Sequence, residues 1–580
     1  MKVNEAFLTR DQKAARIRQG EFTGTEDGGT VVARVLKNAG VDTVMTMAGG
    51  HVSSIFQGLK ADGIRSILFR DERATSFAAA AWGAATRSPG VCLVTAGPGL
   101  TNAVTGLAQA QRSGWPVVSI AGSFEQFSLD MGGLQEMDQA GMMASISKWS
   151  RAVPDAARIG EYIERAIQAA MTPPFGHAHV SIPVDLLSRA VTEFPPLRDA
   201  AKYAAASLGG PSDEVVRRIV GLIKKADRPI VVAGPGVWFD HGEEALFRFV
   251  DRTGIPTFTE DEARGIVPDA HDAGVGPILY GLSGARDLIK EADLVLVVGT
   301  KPDWRTEFLR PPLLPSSFSA VFIQIDSNPE HLTGYFAKEV AFLGSEAATL
   351  SRLAEAIPAE RCWESWRTQL KNAQTAHVDA VLAKERTLRE GNTIHPATIT
   401  EVVRDAAVRD DVNVVFDGGA IGKWGKLLIP ATKPGQWSRY KGPFAAIGHG
   451  LPSAIVKSLA DPSRPSLLTT GDGSFGYHAV EIETAVQYGA NVTAVVVTDG
   501  AWGSVQEGQY KRFQDVEGTL IPRTRFDLVA QALGAEGHWV EDAAMLRDVL
   551  AQPHRGVRVI AVNSETVFPP VHYPPGRYSR

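Results

Sequence analysis

Two aspartates in the C-terminal third of the chain each follow a predicted strand and could together hold a cation. Asp472 comes after the apolar run 466–471, and Asp499 closes the run 492–499. Because neighbouring parallel strands end at the same edge of a sheet, we expect the two carboxylates to lie close together. Two carboxylates and a backbone carbonyl suit Mg²⁺, which usually completes its octahedron with phosphate oxygens. The pattern therefore predicts a magnesium and phosphate site.

A glycine-rich loop surrounds the first aspartate. Gly473 and Ser474 begin a predicted helix, whose free N–H groups suit a phosphate. Gly471, Gly473 and Gly476 also satisfy G-x-G-x-x-G, the fingerprint of dinucleotide-binding proteins. An aspartate inside that fingerprint would repel a pyrophosphate unless a cation lay between them. A nicotinamide dehydrogenase stays open as an alternative, and so does a purely structural glycine turn.

A glutamate in the first third of the chain could exchange protons. Residues 67–69 predict a strand, and Glu72 follows it at the start of an alanine-rich helix. A buried carboxylate serves as acid or base where its surroundings suit a neutral or shared proton. The structural alternative is an acidic helix N-terminus favoured by the helix dipole. For Glu72 alone the structural interpretation is favoured. Together with the predicted metal site, the acid–base role is favoured.

Residues 471–502 resemble the diphosphate-binding motif of thiamine-diphosphate enzymes, which starts Gly-Asp-Gly and ends Asn-Asn after a strand. Asp472 matches the aspartate of the motif, and Asp499 falls on its second asparagine. The resemblance implies that both side chains and the carbonyl of Ala501 bind Mg²⁺. Aspartate in place of asparagine keeps an oxygen ligand and adds a negative charge. Further cofactor contacts implied here are Gly473, Ser474 and Trp502.

The resemblance extends over nearly the whole chain, residues 28–563. Residues 96–102 match the glycine loop of the family's pyrimidine domain, 416–419 a loop that touches the diphosphate, and 446–452 a segment whose apolar residue holds the cofactor in a bent form. The cofactor-binding residues implied by these three segments are Gly99, Asn102, Gly418, Gly419, Ile447 and Gly448.

Glu72 matches the activating glutamate of acetolactate-synthase-like enzymes, which acts on the aminopyrimidine ring of the cofactor. In this family the pyrimidine domain of one subunit meets the diphosphate domain of another. The resemblance therefore implies a homodimer as the smallest active unit, and a homotetramer is common.

Three residues are expected to face the substrate by resemblance. His51 aligns with a histidine of benzaldehyde-lyase-like enzymes, and Gln135 matches a glutamine near the reacting carbon. Glu507 resembles the proton-carrying glutamate of 2-hydroxyacyl-CoA lyases, for which an apolar pocket near Trp502 would be suitable. The plain alternatives are a helix cap for His51, a loop amide for Gln135 and a solvated acid for Glu507.

These matches favour a carbon–carbon lyase or carboligase of the 2-hydroxyacyl-CoA lyase kind, acting on a 2-hydroxyacyl-CoA, 2-oxoacid or acyloin. Acetolactate synthase is a weaker match, because Ser504 and Gly508 stand where that family has methionine and tryptophan. A 2-oxoacid decarboxylase or acyloin lyase, and an inactive regulatory paralogue, remain alternatives. In relatives the central domain holds FAD, ADP, CoA or nothing, and the loops 234–236 and 299–301 do not decide among them.

The elements that position these residues are short apolar runs separated by helix-like stretches. Strands without polar alternation, spaced by helices, indicate parallel sheets covered on both faces, and hence an α/β fold of doubly wound domains. Besides residues 67–69, ten apolar runs predict strands: residues 91–97, 116–122, 179–185, 230–234, 294–299, 321–326, 412–418, 466–471, 492–499 and 557–562.

Two breaks divide the chain into three predicted domains. Residues 194–211 are rich in Pro, Ala, Ser and Gly, and residues 363–393 form a charged helical stretch. The predicted domains are pyrimidine-binding (27–193), central (212–355) and diphosphate-binding (394–565). Residues 1–26 form a leader segment, and the proline-rich tail 566–580 is either a disordered end or a lid.

Composition excludes several other classes of function. The chain has 580 residues, 44% of them hydrophobic and 21% charged, with a net charge of -6. Without clustered Lys and Arg there is no indication of nucleic-acid or membrane binding. The two cysteines, Cys92 and Cys362, are expected to be buried thiols, which fits a reducing, cytoplasmic compartment.

Overall fold

The computed structural model describes residues 26–191, 208–279, 281–334, 336–358, 363–387, 393–438 and 442–568. The leader segment up to residue 25, the tail from residue 569 and Cys362 lie outside the described residues. None of the described helices is both long and apolar enough to cross a membrane. The described chain divides into two compact units, one of residues 26–83 and 88–191, the other of residues 84–87 and 208–568.

The first unit is built on a six-stranded parallel sheet. Its strands are β1 (Glu26–Asp27), β2 (Thr43–Thr46), β3 (Arg65–Leu68), β4 (Gly90–Val94), β5 (Val117–Ser123), β6 (Trp149–Ala152), β7 (His177–Pro183) and β8 (Ala190–Val191). The short strands β1 and β8 pair antiparallel, and the other six run in the order β3-β2-β4-β5-β7-β6. Buried residues of β2, β4, β5 and β7 pack with those of the helices 28–38, 53–61 and 159–171 in one continuous apolar cluster.

The second unit contains two further six-stranded parallel sheets. The central sheet consists of β9 (Pro229–Ala233), β10 (Thr257–Thr259), β11 (Gly274–Pro277), β12 (Leu294–Val298), β13 (Val321–Asp326) and β14 (Val340–Leu343). The third sheet consists of β15 (Asn413–Phe416), β16 (Trp437–Ser438), β17 (Ser466–Gly471), β18 (Val492–Thr498), β19 (Glu536–Val540) and β20 (Val557–Asn563). Their spatial orders are β11-β10-β9-β12-β13-β14 and β16-β15-β17-β18-β20-β19.

Helices cover both faces of each sheet. The first unit contains α1 (Gly28–Asn38), α2 (Ser53–Ala61), α3 (Glu72–Thr86), α4 (Pro98–Ser113), α5 (Gln139–Ala144), α6 (Ile159–Met171) and α7 (Val184–Leu187). The central sheet has α8 (Asp213–Ile223), α9 (Pro235–Phe239), α10 (Glu243–Thr253), α11 (Arg286–Ile289) and α12 (Glu346–Ala356), followed by the long α13 (Glu364–Thr387). The third sheet has α14 (Pro396–Arg409), α15 (Ala420–Leu428), α16 (Gly450–Ala460), α17 (Asp472–Gly476), α18 (Glu481–Gln487), α19 (Gly503–Phe513), α20 (Phe526–Ala532) and α21 (Ala543–Ala551). Short 3-10 helices are Gly50–Val52, Gln126–Ser128, Ala156–Arg158, Asp261–Ala263, Glu307–Leu309 and Pro329–Leu332.

The predicted α/β fold with three doubly wound parallel sheets is confirmed. Every predicted apolar run contains a strand, because β-branched residues buried on both faces suit a central parallel strand. Each six-stranded sheet lies inside one of the three predicted domain ranges, whereas Glu26 of β1 falls in the predicted leader segment. The exact domain boundaries stay predictions.

Candidate active site

The two predicted metal-binding aspartates lie at adjacent strand ends of the third sheet. β17 and β18 pair in parallel, with Gly471 opposite Val497, so both acids leave the sheet at its carboxyl edge. Asp472 accepts hydrogen bonds from the backbone N–H of Gly473 (2.8 Å) and of Gly500 (2.9 Å). The bond from Gly500 ties the loop after β18 to the aspartate after β17.

These carboxylates are short of positive charge. Burial, and then the charge of Asp472, raise the pKa of Asp499 to about 7. Burial also raises the pKa of Asp472, against the opposing hydrogen bonds from Gly500 and Gly473. Since two desolvated carboxylates repel each other, a cation between them would stabilise both. The residues present therefore fit a divalent metal ion.

A backbone carbonyl beside the acids could complete the protein ligands. An antiparallel bridge joins Ala501 to Leu520 through hydrogen bonds from Trp502 N–H to the Thr519 carbonyl and from Ile521 N–H to the Gly500 carbonyl. Those bonds leave the Ala501 carbonyl out. In the described part of the chain no set of three His, Cys, Asp or Glu side chains could hold a metal by itself. Two carboxylates and one backbone carbonyl are oxygen ligands of the kind that Mg²⁺ combines with water and phosphate.

The cleft above the acids is lined by glycines that admit close neighbours. Its volume is ≈ 210 Å³, and its walls include Gly419, Ile447, Gly473, Ser474 and Trp502. A Cβ on Gly473 would lie 2.6 Å from the Trp502 ring, so only glycine lets that ring pack there. The five-residue helix α17 directs the backbone N–H groups of its first residues toward this cleft.

Asp417 holds the two glycine loops that frame the cleft. Its buried carboxylate accepts hydrogen bonds from the N–H groups of Gly448 (3.2 Å) and Gly450 (2.9 Å), and from Gly418. The backbone of Gly448 has φ 85°, which glycine adopts without strain. A Cβ on Gly418 would lie 2.4 Å from Ile447 Cγ2, so the two loops touch where Ile447 faces the cleft.

Glu507 lies beside this cleft on α19, whose first residues line it. The side chain is 1% exposed, which excludes the solvated acid. Its carboxylate binds Lys423 Nζ at 2.7 Å and Lys511 Nζ at 2.7 Å. The expected apolar pocket is therefore wrong for Glu507, because two ammonium groups neutralise it in the buried site.

Glu72 begins α3 at the carboxyl edge of the first sheet. Its Oε2 accepts a hydrogen bond from Asn102 Nδ2 at 3.1 Å, and its Oε1 lies 3.4 Å from the position that a Cβ on Gly99 would take. The sequence-predicted residues of the glycine loop thus surround the carboxylate. Burial and then the charge of Glu72 raise the pKa of the Cys92 thiol, so Cys92 is a buried neutral thiol, as predicted.

His51 and Gln135 lie near the same loop. His51 is 8% exposed, and its Nδ1 lies 3.2 Å from Thr95 Oγ1, one residue after β4. It caps no helix, because neither Gly50–Val52 nor α2 has a side-chain cap at its start. Gln135 has φ 60° and packs against Gly97, and its buried Oε1 has no hydrogen-bond partner among the described residues. An acceptor buried without a partner suits a ligand donor.

Sequence reasoning did not single out three supporting residues. Asp417 orders the glycine loops, Lys423 neutralises Glu507, and Gln139 joins the Gly97 N–H (2.8 Å) to the Gly122 carbonyl (3.0 Å). An aspartate between a predicted strand and two glycines was a signal for Asp417. Lys423 and Gln139 had none, since each acts on residues far away in sequence.

Comparison with known proteins places the chain among thiamine-dependent enzymes. Three family models match it: the thiamine pyrophosphate enzyme N-terminal TPP binding domain at residues 26–142, the central domain at 216–353 and the C-terminal TPP binding domain at 417–562.

Similar whole proteins carry two kinds of name. A probable acetolactate synthase of Mycobacterium bovis and the acetolactate synthase large subunit of Mycobacterium tuberculosis are each 33% identical, covering 95% of this chain and 97% of theirs. The 2-hydroxyacyl-CoA lyase 1 of Dictyostelium discoideum is 24% identical over 91% of this chain and 95% of its own.

Proposed function

The chain belongs to the thiamine pyrophosphate enzyme family, and from that premise we propose that it uses thiamine diphosphate and Mg²⁺ to break or form a carbon–carbon bond beside a carbonyl group. The observation that carries this proposal is the pair Asp472 and Asp499, desolvated together at the edge of one sheet with Asp499 at a pKa of about 7. Such a pair is stable when a divalent cation joins it to a diphosphate.

Each element of the cleft has a part in holding the cofactor. Asp472, Asp499 and the Ala501 carbonyl bind Mg²⁺, and the N–H group of Ser474 donates to the diphosphate. Gly473, whose own N–H donates to Asp472, lines the cleft beside the diphosphate. Gly418 and Gly419 approach the diphosphate from the facing loop, while Ile447, Gly448 and Trp502 pack against the body of the cofactor. Bound thiamine diphosphate supplies a nucleophilic carbon and accepts the electron pair released when the carbon–carbon bond breaks.

Glu72 exchanges a proton with the aminopyrimidine ring of the cofactor. Gly99 and Asn102 help to orient that ring. The hydrogen bond from Asn102 and the nearby Gly99 keep the carboxylate in one position. We take the active unit to be at least a homodimer, in which Glu72 of one copy acts on the cofactor held by the other, and a homotetramer fits as well. Sedimentation of the protein checks this, and a monomer with full activity would contradict it.

Three side chains act on the substrate in this proposal. His51 and the unpartnered Gln135 Oε1 orient the carbonyl and hydroxyl groups of the substrate. Glu507 takes a proton from the substrate hydroxyl and returns it, and Lys423 and Lys511 hold its carboxylate in place. This role supports cleavage of a 2-hydroxyacyl-CoA to an aldehyde or ketone and formyl-CoA, or of an acyloin, in a reversible reaction.

A second candidate is acetolactate synthesis from 2-oxoacids. The observation that favours it is the 33% identity to the two mycobacterial acetolactate synthases over 95% of the chain. The two candidates share the cofactor site and differ in the substrate face, where Ser504 and Gly508 depart from the acetolactate synthase pattern.

Product analysis separates these candidates. Protein loaded with thiamine diphosphate and Mg²⁺ is offered 2-hydroxyacyl-CoA thioesters, acyloins and 2-oxoacids, and formyl-CoA, aldehyde, acetolactate and CO₂ are measured. We expect aldehyde with formyl-CoA or a second aldehyde. Acetolactate from pyruvate would favour the second candidate, and no turnover of any substrate would identify an inactive paralogue.

Replacing Glu507 tests its role in the same assay. Glu507→Gln should lower cleavage by ~10²-fold or more, as loss of an acid–base group does. Glu517→Gln, an exposed position just after α19, is the matched control. If Glu507→Gln cleaved every 2-hydroxyacyl-CoA and acyloin at the normal rate, the role would be wrong.

A cytoplasmic location is part of the proposal. It is supported by the buried, unpaired thiol of Cys92. Fractionation of cells that express the protein checks the compartment.

A further inference from the structure

A second cleft lies in the second unit, which also contains the cleft above Asp472. It is bordered by the edge strand β11, helix α13 and the end of helix α15. Its volume is ≈ 290 Å³, and four of its lining side chains are cationic: Arg264, Lys371, Arg404 and Lys426. We call it the cationic cleft. It shares no lining residue with the cleft above Asp472 and Asp499.

Two of these cations are buried. Arg264 is 1% exposed and Lys426 is 7% exposed. Burying a charge is costly unless it is paired or binds a ligand. Both side chains therefore need a counter-charge. Among the described residues Arg264 has one, and Lys426 does not.

Arg264 is paired, but not fully. Its terminal nitrogens bind both oxygens of Asp269, with Nη1 at 2.7 Å from Oδ1, and Nη1 also donates to Thr259 Oγ1 at 3.1 Å. Its buried Nε has no hydrogen-bond partner among the described residues. Because the fork to Asp269 uses the far edge of the guanidinium, Nε–H is left as a donor for something else.

Lys426 has no acidic partner. It lies in the last turn of α15 and lines the cleft, and no Asp or Glu of the described residues forms a salt bridge with it. The carbonyl end of α15 offsets part of its charge, since cations are favoured near helix C-termini. That effect is partial, so an anion in the cleft would neutralise the rest of the charge.

The rest of the lining adds positive charge and an open backbone. Lys371 Nζ donates to the His271 carbonyl at 2.6 Å, and Arg404 pairs with the exposed Asp405 at 2.9 Å. Asp269 is the acidic residue in the lining, and Arg264 already occupies it. Gly276 has φ 113° and no atom within 4 Å of where its Cβ would be.

We propose that the cationic cleft binds a phosphate group, either free phosphate or the phosphate of a small metabolite. A phosphate dianion offers oxygens in several directions, which suits donors that line one cleft from three segments of the chain: Arg264, Lys426 and Arg404. A planar carboxylate satisfies fewer of them. The site is separate from the one that holds the cofactor diphosphate, and it lies at the opposite end of α15.

Calorimetric titration with inorganic phosphate tests the proposal. The protein is first saturated with thiamine diphosphate and Mg²⁺, so that the diphosphate site is filled. Titrations with glycerol phosphate and with succinate, at matched ionic strength in chloride, separate free phosphate, phosphate esters and carboxylates. We expect saturable binding of the phosphates at one site per chain, and at least tenfold weaker binding of succinate.

Substitutions locate the binding. Lys426→Gln and the less buried Arg404→Gln should each weaken phosphate binding at least tenfold and leave thiamine diphosphate affinity unchanged. Lys433→Gln removes a cation of similar charge from an exposed pair with Asp411, and it should have no effect. Arg404→Gln gives the answer if the buried Lys426 variant fails to fold. Phosphate affinity unchanged in both variants, or heat released equally by chloride, would overturn the proposal.

Discussion

The central sheet and the third sheet are both six-stranded and parallel, yet the buried acids at their carboxyl edges lie in different surroundings. In the third sheet Asp472 and Asp499 face a cleft of ≈ 210 Å³. In the central sheet Glu346, Asp326 and Asp240 gather at the corresponding edge, where the neighbouring loops close over them. The edge of the third sheet can admit a cation between its two carboxylates. At the edge of the central sheet, protonation of a carboxylate reduces the repulsion among the three acids.

The closure of the central edge is visible in its glycine loops. A Cβ on Gly234 would lie 2.6 Å from the Gly299 carbonyl oxygen, and one on Gly236 would lie 2.7 Å from Glu346 Oε1. The two loops that follow β9 and β12 therefore pack on each other. Burial, and then the charges of Asp326 and Asp240, raise the pKa of Glu346 to about 8.

Parallel strand order alone therefore does not make a binding site at the carboxyl edge of a sheet. The packing of the loops at that edge decides whether a ligand can enter. Parallel strands bring acids together in both sheets. Only where the loops stay apart can a ligand and its metal ion provide the neutralising charge.

The largest expected effect is at the first sheet, whose edge offers a carboxylate to the reaction rather than to a metal. Glu72→Gln should lower turnover by ~10²–10⁴-fold, as loss of a general acid–base group does, with cofactor affinity changed little. Steady-state rates and cofactor titration measure the two quantities. Glu161→Gln, in an exposed ion pair on α6, is the control. A rate within threefold of normal would remove Glu72 from the mechanism.

The comparison itself is tested by one substitution made at both edges. Asp472→Asn should weaken thiamine diphosphate binding by more than ~100-fold, because it removes a charged metal ligand. Asp326→Asn changes the residue that ends β13 and should leave that affinity within ~3-fold. Titrations with and without Mg²⁺ measure both. Equal losses in the two variants would show that the edges do not differ as described.

Closure of the central edge predicts a stability effect. Gly234→Ala should destabilise the protein by about 1–3 kcal/mol, because its Cβ meets the backbone of Gly299. Gly221→Ala, inside α8 with no atom within 4 Å of the new Cβ, should instead stabilise by about 0.5–1 kcal/mol. Urea unfolding measures both. No loss in Gly234→Ala would mean that the loops separate easily enough for a nucleotide.

The smallest effect concerns the proton at the central edge. The folded pKa of Glu346, about 8, lies above its unfolded value, so the unfolded chain loses this proton first as pH rises. Stability should therefore fall by about 1 kcal/mol per pH unit between roughly pH 5 and 8 and level off above. Glu346→Gln should flatten this slope in urea unfolding at several pH values. Glu355→Gln, exposed on the same helix, should keep it.

Sequence reasoning found most interior strands and missed most edge strands; the exceptions are the interior strands β2 and β10, which were missed, and the edge strand β3, which was predicted. The strands β12, β13 and β18 are apolar and buried along almost their whole length. The edge strands β6 and β11 are short and carry exposed residues or glycine and proline, so their sequences do not differ from loops.

The same limit applies to the site. Asp472 and Asp499 could be predicted because each directly follows a recognisable strand. The two partners of Glu507 differ in how far the sequence predicts them. Lys511 could have been predicted, because it lies four residues further along the same helix. Lys423 could not, because it comes from α15, which is distant in sequence. Arg264 and Lys426 line the same cleft only because the segments that carry them pack together in the fold. No motif around either residue predicts this.

Binding of thiamine diphosphate through Mg²⁺ is tested most directly by titrating the protein with the cofactor and following tryptophan fluorescence, first with Mg²⁺ and then with a chelator. We expect saturable quenching that requires the metal and is largely lost in Trp502→Phe, because the Trp502 ring lines the cleft. Quenching that is unchanged by the chelator, or a response to NADH with none to thiamine diphosphate, would contradict it.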